Sequence, residues 1–376
     1  MTDDARREHR YAVILAGGRG SRLWPASTES LPKQFMRLDG PHTLIEQTFD
    51  RLAGVVGPER VLVSTTREYA ADVARALPRL APANVVVEPS AQGKPAAFEL
   101  FCLHLTALDP DCVVLVAAAD SSVAPVEAFQ AGCADALRFV EEHRSWTVMM
   151  GAVPVRPDVS LGYVHALGTA EDVDGFRVAR EFIEKPALVD AERYVASGDY
   201  FWNTSTYCFA PDELLAAYRA AAPRMYVAVE TFARTGDPAD YQAGESPGHE
   251  LYPLVGQARP IAVLECRFRW HDIGTWPSLY RALRDQGQPE VISRGSGHVD
   301  IESEGLLVVN DTTATVVTTG LKDIVVVVVD GHVLVAPLDA LEDQHGAISR
   351  LRAQAAARPM THAPHDDEPN AGGPSR

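Results

Sequence analysis

A mostly parallel α/β sheet with helices on both faces, followed by a smaller β-rich unit, is the architecture this sequence predicts. Three observations carry it. Short Val-rich runs alternate with amphipathic stretches up to about residue 152, the pattern turns hairpin-like after about residue 155, and Gly-punctuated Val-rich text runs from about 290 to 340. At roughly 100–200 residues per domain, a chain of 376 residues has room for two or three domains.

The runs Tyr11–Ala16, Val61–Thr65, Val85–Glu88, Val113–Ala117 and Thr147–Ala152 are too short for buried helices and rich in β-branched residues, so they read as buried strands. Between them, Thr43 to Glu46 has capping-box spacing and opens a helix that carries Ile45, Phe49 and Leu52 on one face and stops near Gly54. Further helices fit Arg67–Leu77, Pro95–Leu108 and Pro125–His143. Alternation of this kind places ligands at the carboxyl ends of the strands. The hairpin-like part leads to a helix near Asp190–Ser197 closed by Gly198 and two more helical stretches through about Arg234, which reads as a substrate-facing insertion. In the β-rich end, Val325–Val329 would be an aggregation hazard on an open edge, so burial on both faces is expected. The Pro- and Gly-rich tail from about Ala357 is expected to be disordered, with His362 and His365 as tail residues and not metal ligands.

Hydrophobic residues make up 46%, charged residues 23% and aromatics 7%, the profile of a globular protein. With 34 Lys and Arg against 51 Asp and Glu, the net charge of −17 argues against nucleic-acid or anionic-membrane binding, and an anionic substrate needs local cations or a metal. No apolar run approaches the ~20 residues that cross a bilayer. Cys102, Cys112, Cys133, Cys208 and Cys266 sit mostly in apolar runs without a CxxC, which suits buried thiols in a reducing, cytoplasmic setting.

The first strand runs into Ala16-Gly17-Gly18-Arg19-Gly20-Ser21-Arg22-Leu23-Trp24-Pro25, and Pro32-Lys33-Gln34-Phe35 follows. Three glycines are expected to turn the backbone at positive φ and aim its amides at phosphate oxygens, with Arg22 and Lys33 supplying charge. The spacing is neither that of a dinucleotide fold nor that of a P-loop. The plainer alternative is a Gly-rich turn with surface cations, which the added Arg and Pro-Lys-Gln-Phe argue against.

Here the sequence resembles the bacterial mannose-1-phosphate guanylyltransferases, a family of sugar-1-phosphate nucleotidyltransferases, through Gly17 to Ser27 and Pro32 to Phe35. The resemblance continues through Glu88-Pro89, Asp120, Arg156-Pro157, Gly162-Tyr163, Phe182 to Pro186, Trp202-Asn203 and Asp272 to Trp276, and spans about residues 10–345. It implies a Rossmann-like nucleotidyltransferase domain of mixed, mostly parallel sheet over 11–288 after an N-terminal extension, 1–10. A left-handed β-helix-like domain over 289–345, a terminal helix over 346–356 and the tail 357–376 would follow. The implied catalytic residues are Arg22 and Lys33. Nucleotide contacts are implied for Gly17, Gly18, Gly20, Ser21, Gln92, Lys94 and Asp120, sugar-phosphate contacts for Gly162, Glu184, Lys185 and Asn203, and Mg2+ binding for Asp120 and Asp272. Alone, these aspartates would equally serve as solvated residues or helix caps, and Glu184-Lys185 as a solvated pair. Trp24, Trp202, Trp270 and Trp276 read as packing supports.

The chain departs from the family pattern at Ser90 to Ala97, where the base is read, at Ser121 beside Asp120, at Val159 to Leu161 and at His271. His271 reads as a neighbour of the metal site and not a ligand, since Mg2+ prefers oxygen. The resulting expectation is an NTP, GTP first, joined to mannose 1-phosphate or to a modified sugar, heptose or cyclitol phosphate, giving an NDP-sugar and pyrophosphate. A homodimer is expected and isomerase activity is not. The rivals are a catalytically silent nucleotide-sugar-binding regulatory subunit and the same reaction with another NTP.

Overall fold

The computed structural model describes residues 8–18, 20–28, 30–242, 259–329, 331–342 and 346–357. Its elements begin with β1 (Arg10–Leu15), α1 (Leu44–Val56), β2 (Val61–Thr66), α2 (Ala70–Ala76), β3 (Val85–Glu88), α3 (Lys94–Leu108), β4 (Val113–Ala118), β5 (Ser121–Ala124), α4 (Val126–Glu142) and β6 (Thr147–Ala152). The five expected strands are therefore present within a residue of their expected ends. The Thr43 cap forms as the spacing demanded: its hydroxyl accepts from Glu46 N–H, while Glu46 Oε2 accepts from Thr43 N–H at 2.7 Å.

The middle of the chain adds β7 (Gly162–Leu167), β8 (Phe176–Glu184), α5 (Leu188–Ser197), β9 (Tyr200–Phe209), α6 (Pro211–Ala221), α7 (Pro223–Thr235), β10 (Ile261–Glu265), β11 (Arg269–Asp272) and α8 (Trp276–Asp285). This segment is no appendage. β9 threads between β4 and β6, antiparallel to both, and the sheet order is β3-β2-β1-β4-β9-β6-β10-β8-β7. β1 pairs in parallel with β2 and β4, as a crossover fold requires. Helices cover both faces: Phe49 and Phe129 bury on one with Ile14 and Leu115, Phe98 and Tyr218 on the other with Val13 and Val114.

The C-terminal unit comprises β12 (Val291–Gly295), β13 (His298–Ile301), β14 (Glu304–Asn310), β15 (Val316–Thr319), β16 (Lys322–Val329), β17 (His332–Pro337) and α9 (Ala347–Ala356). β12, β14 and β16 run parallel in one sheet, β13 and β15 in another. Of the valine run, Val325, Val326 and Val327 are buried while Val328 and Val329, at the turn into the edge strand β17, are partly exposed. Leu307, Val325 and Leu334 share one core with Leu23, Ile273, Trp276 and Leu279, so this unit packs directly under the glycine loop and α8. Trp276 Nε1 donates to Trp24 O at 3.0 Å across the same contact, a packing role as expected. The five cysteines carry free thiols, and no helix among the described residues is long and apolar enough to cross a membrane. Most of the tail, with His362 and His365, lies outside the described residues.

Candidate active site

The glycine loop leaves β1 at the carboxyl edge of the sheet and is held by a side chain from the next turn. Gln34 Nε2 donates to Ala16 O at 3.2 Å and to Gly18 O at 3.0 Å, so the Pro-Lys-Gln-Phe turn anchors the loop by its glutamine. Contrary to expectation, only one of the three glycines takes positive φ: Gly20, at 57°. A Cβ at Gly20 would lie 2.4 Å from Lys33 Cβ, so this glycine lets Lys33 close against the loop. Gly17 and Gly18 instead keep the wall of the cleft bare, and a Cβ at Gly18 would meet nothing within 4 Å. The side chain of Ser21 lies outside the described set.

Two strands that periodicity did not reveal bring the acids together. β5 and β11 pair antiparallel with Asp272 opposite Ser121, which sets Asp272 beside Asp120 at the end of β4. Lys33 then reaches both: Nζ is 2.6 Å from Asp120 Oδ2 and 3.6 Å from Asp272 Oδ1. Its side chain is 3% exposed, so the lysine lies beneath the cleft and grips the carboxylates from below. Burial would push the Asp120 carboxyl up, but Lys33, with Lys94 and Arg22, outweighs it and holds the group below the usual carboxylate range. Arg22 Nη2 stands 3.8 Å from Asp272 Oδ2 with its side chain partly exposed to the cleft. Gly274 makes room for this pair, since a Cβ there would lie 2.7 Å from Asp272 Oδ2 and 3.1 Å from Arg22 Nη2. The loop after Asp120 is tied by the buried Arg51, whose Nη2 donates to Ser121 O at 3.0 Å. His271 points elsewhere, its Nε2 2.9 Å from Asp285 Oδ2.

At the far end, Glu184 and Lys185 pair at 2.9 Å, both about half exposed, with Lys185 held at φ 48°. Gly162 sits opposite Glu184 in the register of β7 and β8, and a Cβ there would approach Glu184 Oε2 to 2.8 Å; the missing side chain leaves space that the carboxylate uses. Asn203 is oriented by its Nδ2 donating to the Tyr207 hydroxyl at 2.9 Å.

A cleft of about 1050 Å³ joins these groups: Gly17, Gly18, Arg22, Lys94, Asp120, Gly162, Glu184, Lys185, Asn203 and Asp272 all line it. That exceeds the space one small ligand needs and suits two substrates. Gln92 is not among its lining residues; its amide donates to Ser90 Oγ at 3.2 Å. The cleft holds one more group, which the motifs named without a role. Glu88, buried at the end of β3, lines the cleft, and its Oε2 accepts from the Tyr241 hydroxyl at 2.7 Å. Burial raises its carboxyl to about 7, against the smaller downward pull of that hydrogen bond. Ser160, Leu161, Thr204, Ser205 and Trp270 also line the cleft. The pair Glu88-Pro89 marks the position in the sequence, but not the contact with Tyr241, which comes from a distant segment.

A family model described as nucleotidyl transferase matches residues 11–288. The mannose-1-phosphate guanylyltransferase ManC of Salmonella typhimurium is 32% identical over 368 residues, an alignment covering 93% of this chain and 74% of that one. A mannose-1-phosphate guanylyltransferase of Escherichia coli is 31% identical, with 91% and 73% covered. Among solved structures, a Thermus thermophilus protein described as a mannose-1-phosphate geranyltransferase superposes with a TM-score of 0.79 at 31% identity, covering 92% of this chain and 99% of that one.

Proposed function

Since the chain belongs to the nucleotidyl transferase family and is a sugar-1-phosphate nucleotidyltransferase, we propose that it joins GTP to mannose 1-phosphate or a modified relative, releasing pyrophosphate. The observation that carries the reading is the gathering of Arg22, Lys33, Asp120 and Asp272 at one end of a cleft whose other end holds Glu184, Lys185 and Asn203. Asp120 and Asp272 would hold Mg2+. The donor set fits that ion, because both ligands are carboxylates already drawn to one cation and Mg2+ is commonly held by one or two carboxylates with phosphates completing the shell. Bound there, Mg2+ supplies charge neutralisation and Lewis acidity to the phosphates.

The other steps belong to the chain's own side chains. Lys185 receives the sugar phosphate and Glu184 accepts from sugar hydroxyls. A phosphate oxygen of that substrate forms a bond to the α-phosphorus as the bond from that phosphorus to the α,β-bridging oxygen breaks, so no protein nucleophile is required. Arg22 and Lys94 face the negative charge that collects on pyrophosphate, and Lys33 keeps the two carboxylates from drifting apart. Catalysis of this kind rests on positioning and electrostatics.

For the base, Glu88 supports guanine: one carboxylate accepts from both N1–H and the 2-amino group, donors that adenine does not present together. Glu88→Gln is expected to raise the KM for GTP by about 10- to 100-fold, as loss of a charged acceptor does, and to shrink the preference for GTP over ITP, which lacks the 2-amino group. The carboxyl is neutral below and ionised above about 7. The KM for GTP should therefore fall as pH rises through that value, and the variant should lose this dependence. A pH-independent wild-type KM removes Glu88 from base recognition.

The C-terminal unit we read as a left-handed β-helix-like coil, supported by its parallel pairings, and as the contact of a homodimer, supported by exposed Val299, Val317 and Ile301 on paired strands. Sedimentation at micromolar concentration checks the dimer.

The deciding assay is pyrophosphate release with Mg2+, each NTP being tested against mannose, glucose, heptose and cyclitol 1-phosphates. Release with GTP and mannose 1-phosphate supports the direct reading; release with an unusual sugar alone assigns residues 159–163 to a changed sugar pocket. Silence with nucleotide binding intact favours a regulatory binder.

A further inference from the structure

The sugar end of the cleft contains a strained residue that the proposed reaction does not use. Between Met149, which pairs with Tyr207, and Gly151, which pairs with Asn203, β9 advances four residues while β6 advances two. The surplus forms a bulge of Thr204, Ser205 and Thr206, and a bulge beside a site re-aims side chains. Thr204 Oγ1 pins it to β6 by donating to Met150 O at 2.7 Å. Ser205 N–H donates to Asn203 Oδ1 at 2.9 Å, and Asn203 Nδ2 donates to the Tyr207 hydroxyl, so the same contacts that hold the bulge orient Asn203.

Ser205 has φ 54°, the left-handed region that glycine enters without steric penalty and serine does not. Strain of this kind persists where the surroundings over-determine it and concentrates at ligand sites. Glycine would keep the bulge, the N–H bond to Asn203 and the ladder. What serine adds is a Cβ and a hydroxyl on the wall of the cleft, beside Asn203 and Thr204, which line it too. The bond that orients Asn203 comes from the main chain and does not use that hydroxyl.

We infer that Ser205 is a specificity residue for the sugar 1-phosphate: its hydroxyl hydrogen-bonds one hydroxyl of the ring held at Asn203, and selects substrates that carry a hydroxyl there over those that lack it. The inference rests on the sugar-phosphate assignment of this end of the cleft proposed above.

Two variants separate the hydroxyl from the backbone. Ser205→Ala keeps the strain and deletes the hydroxyl; Ser205→Gly deletes both. Each is assayed for pyrophosphate release with the preferred sugar 1-phosphate and its monodeoxy analogues at saturating NTP, with the KM for NTP measured separately. Both variants are expected to lower kcat/KM for the preferred substrate by about three- to tenfold, to leave the KM for NTP unchanged, and to lose wild-type discrimination against one deoxy analogue only. Retention of every wild-type ratio by both variants overturns the inference. So does an Ala variant that matches wild type beside a Gly variant that does not, since the effect would then belong to the backbone. A wild-type protein inactive with every sugar 1-phosphate overturns the functional reading first, and this inference with it.

Discussion

Asp272→Asn is expected to lower kcat by about 100- to 1000-fold, the loss that follows removal of one preorganised electrostatic group, while the protein folds as before. The fold is spared because the position of residue 272 is set by main-chain pairing of β11 with β5 and by Gly274. Asparagine is nearly isosteric, and the side chain is a quarter exposed. The chemistry is not spared. The variant removes a negative charge from the pair that Lys33 gathers, and an amide oxygen is a weaker ligand for a hard divalent cation. Half-maximal turnover should therefore require more Mg2+, and added chelator should abolish the remaining rate. Steady-state pyrophosphate release over a Mg2+ titration, beside a thermal melt, makes the measurement. Near-normal turnover at low Mg2+ would take Asp272 out of the metal role.

Lys33→Met should damage both stability and turnover. The lysine side chain is almost fully buried, and its ammonium stands between two carboxylates. Methionine fills the volume and leaves two like charges facing each other. Breaking a buried pair costs about 3–5 kcal/mol; with Asp120 about one third exposed to screening solvent and Arg22 still near Asp272, roughly 2 kcal/mol is expected. Denaturant unfolding reads that loss. Turnover measured well below the melting temperature should fall by about 100-fold, because the carboxylates are no longer drawn together. A variant that is destabilised but turns over normally would make Lys33 a structural residue alone.

Legibility differs by the range of the interaction involved. The Thr43 capping box, the strand Val85–Glu88 and the helix at Leu188–Ser197 were readable because a cap or a run of β-branched residues acts over a few positions. The glycine loop was readable as a loop at the end of β1, but neither in its conformation nor in its closure onto the turn of Lys33. Three glycines were expected at positive φ and one adopts it, because only Gly20 must yield to Lys33. β5 and β11 escaped detection, since Ser-Ser-Val-Ala and Arg-Trp-His-Asp carry little β signal and exist through each other. Glu88 stood in a motif without a role, because its burial and its hydrogen bond with the distant Tyr241 arise only in the fold. Gln92 looked like a base reader by its place in the chain, and the fold leaves it off the cleft wall.

By itself, then, the sequence determined what is local: the strand and helix alternation, the glycine-rich segment from Gly17 to Phe35, and residue types chemically suited to a polyphosphate and a sugar phosphate. The tertiary structure alone decided which distant groups meet. It threaded β9 between β4 and β6, bulged it so that Ser205 lines the cleft, and set Asp272 opposite Ser121 so that one buried lysine serves both acids. The reason is that strand register and charge pairing are settled by packing between segments far apart in the chain, and no local pattern records them.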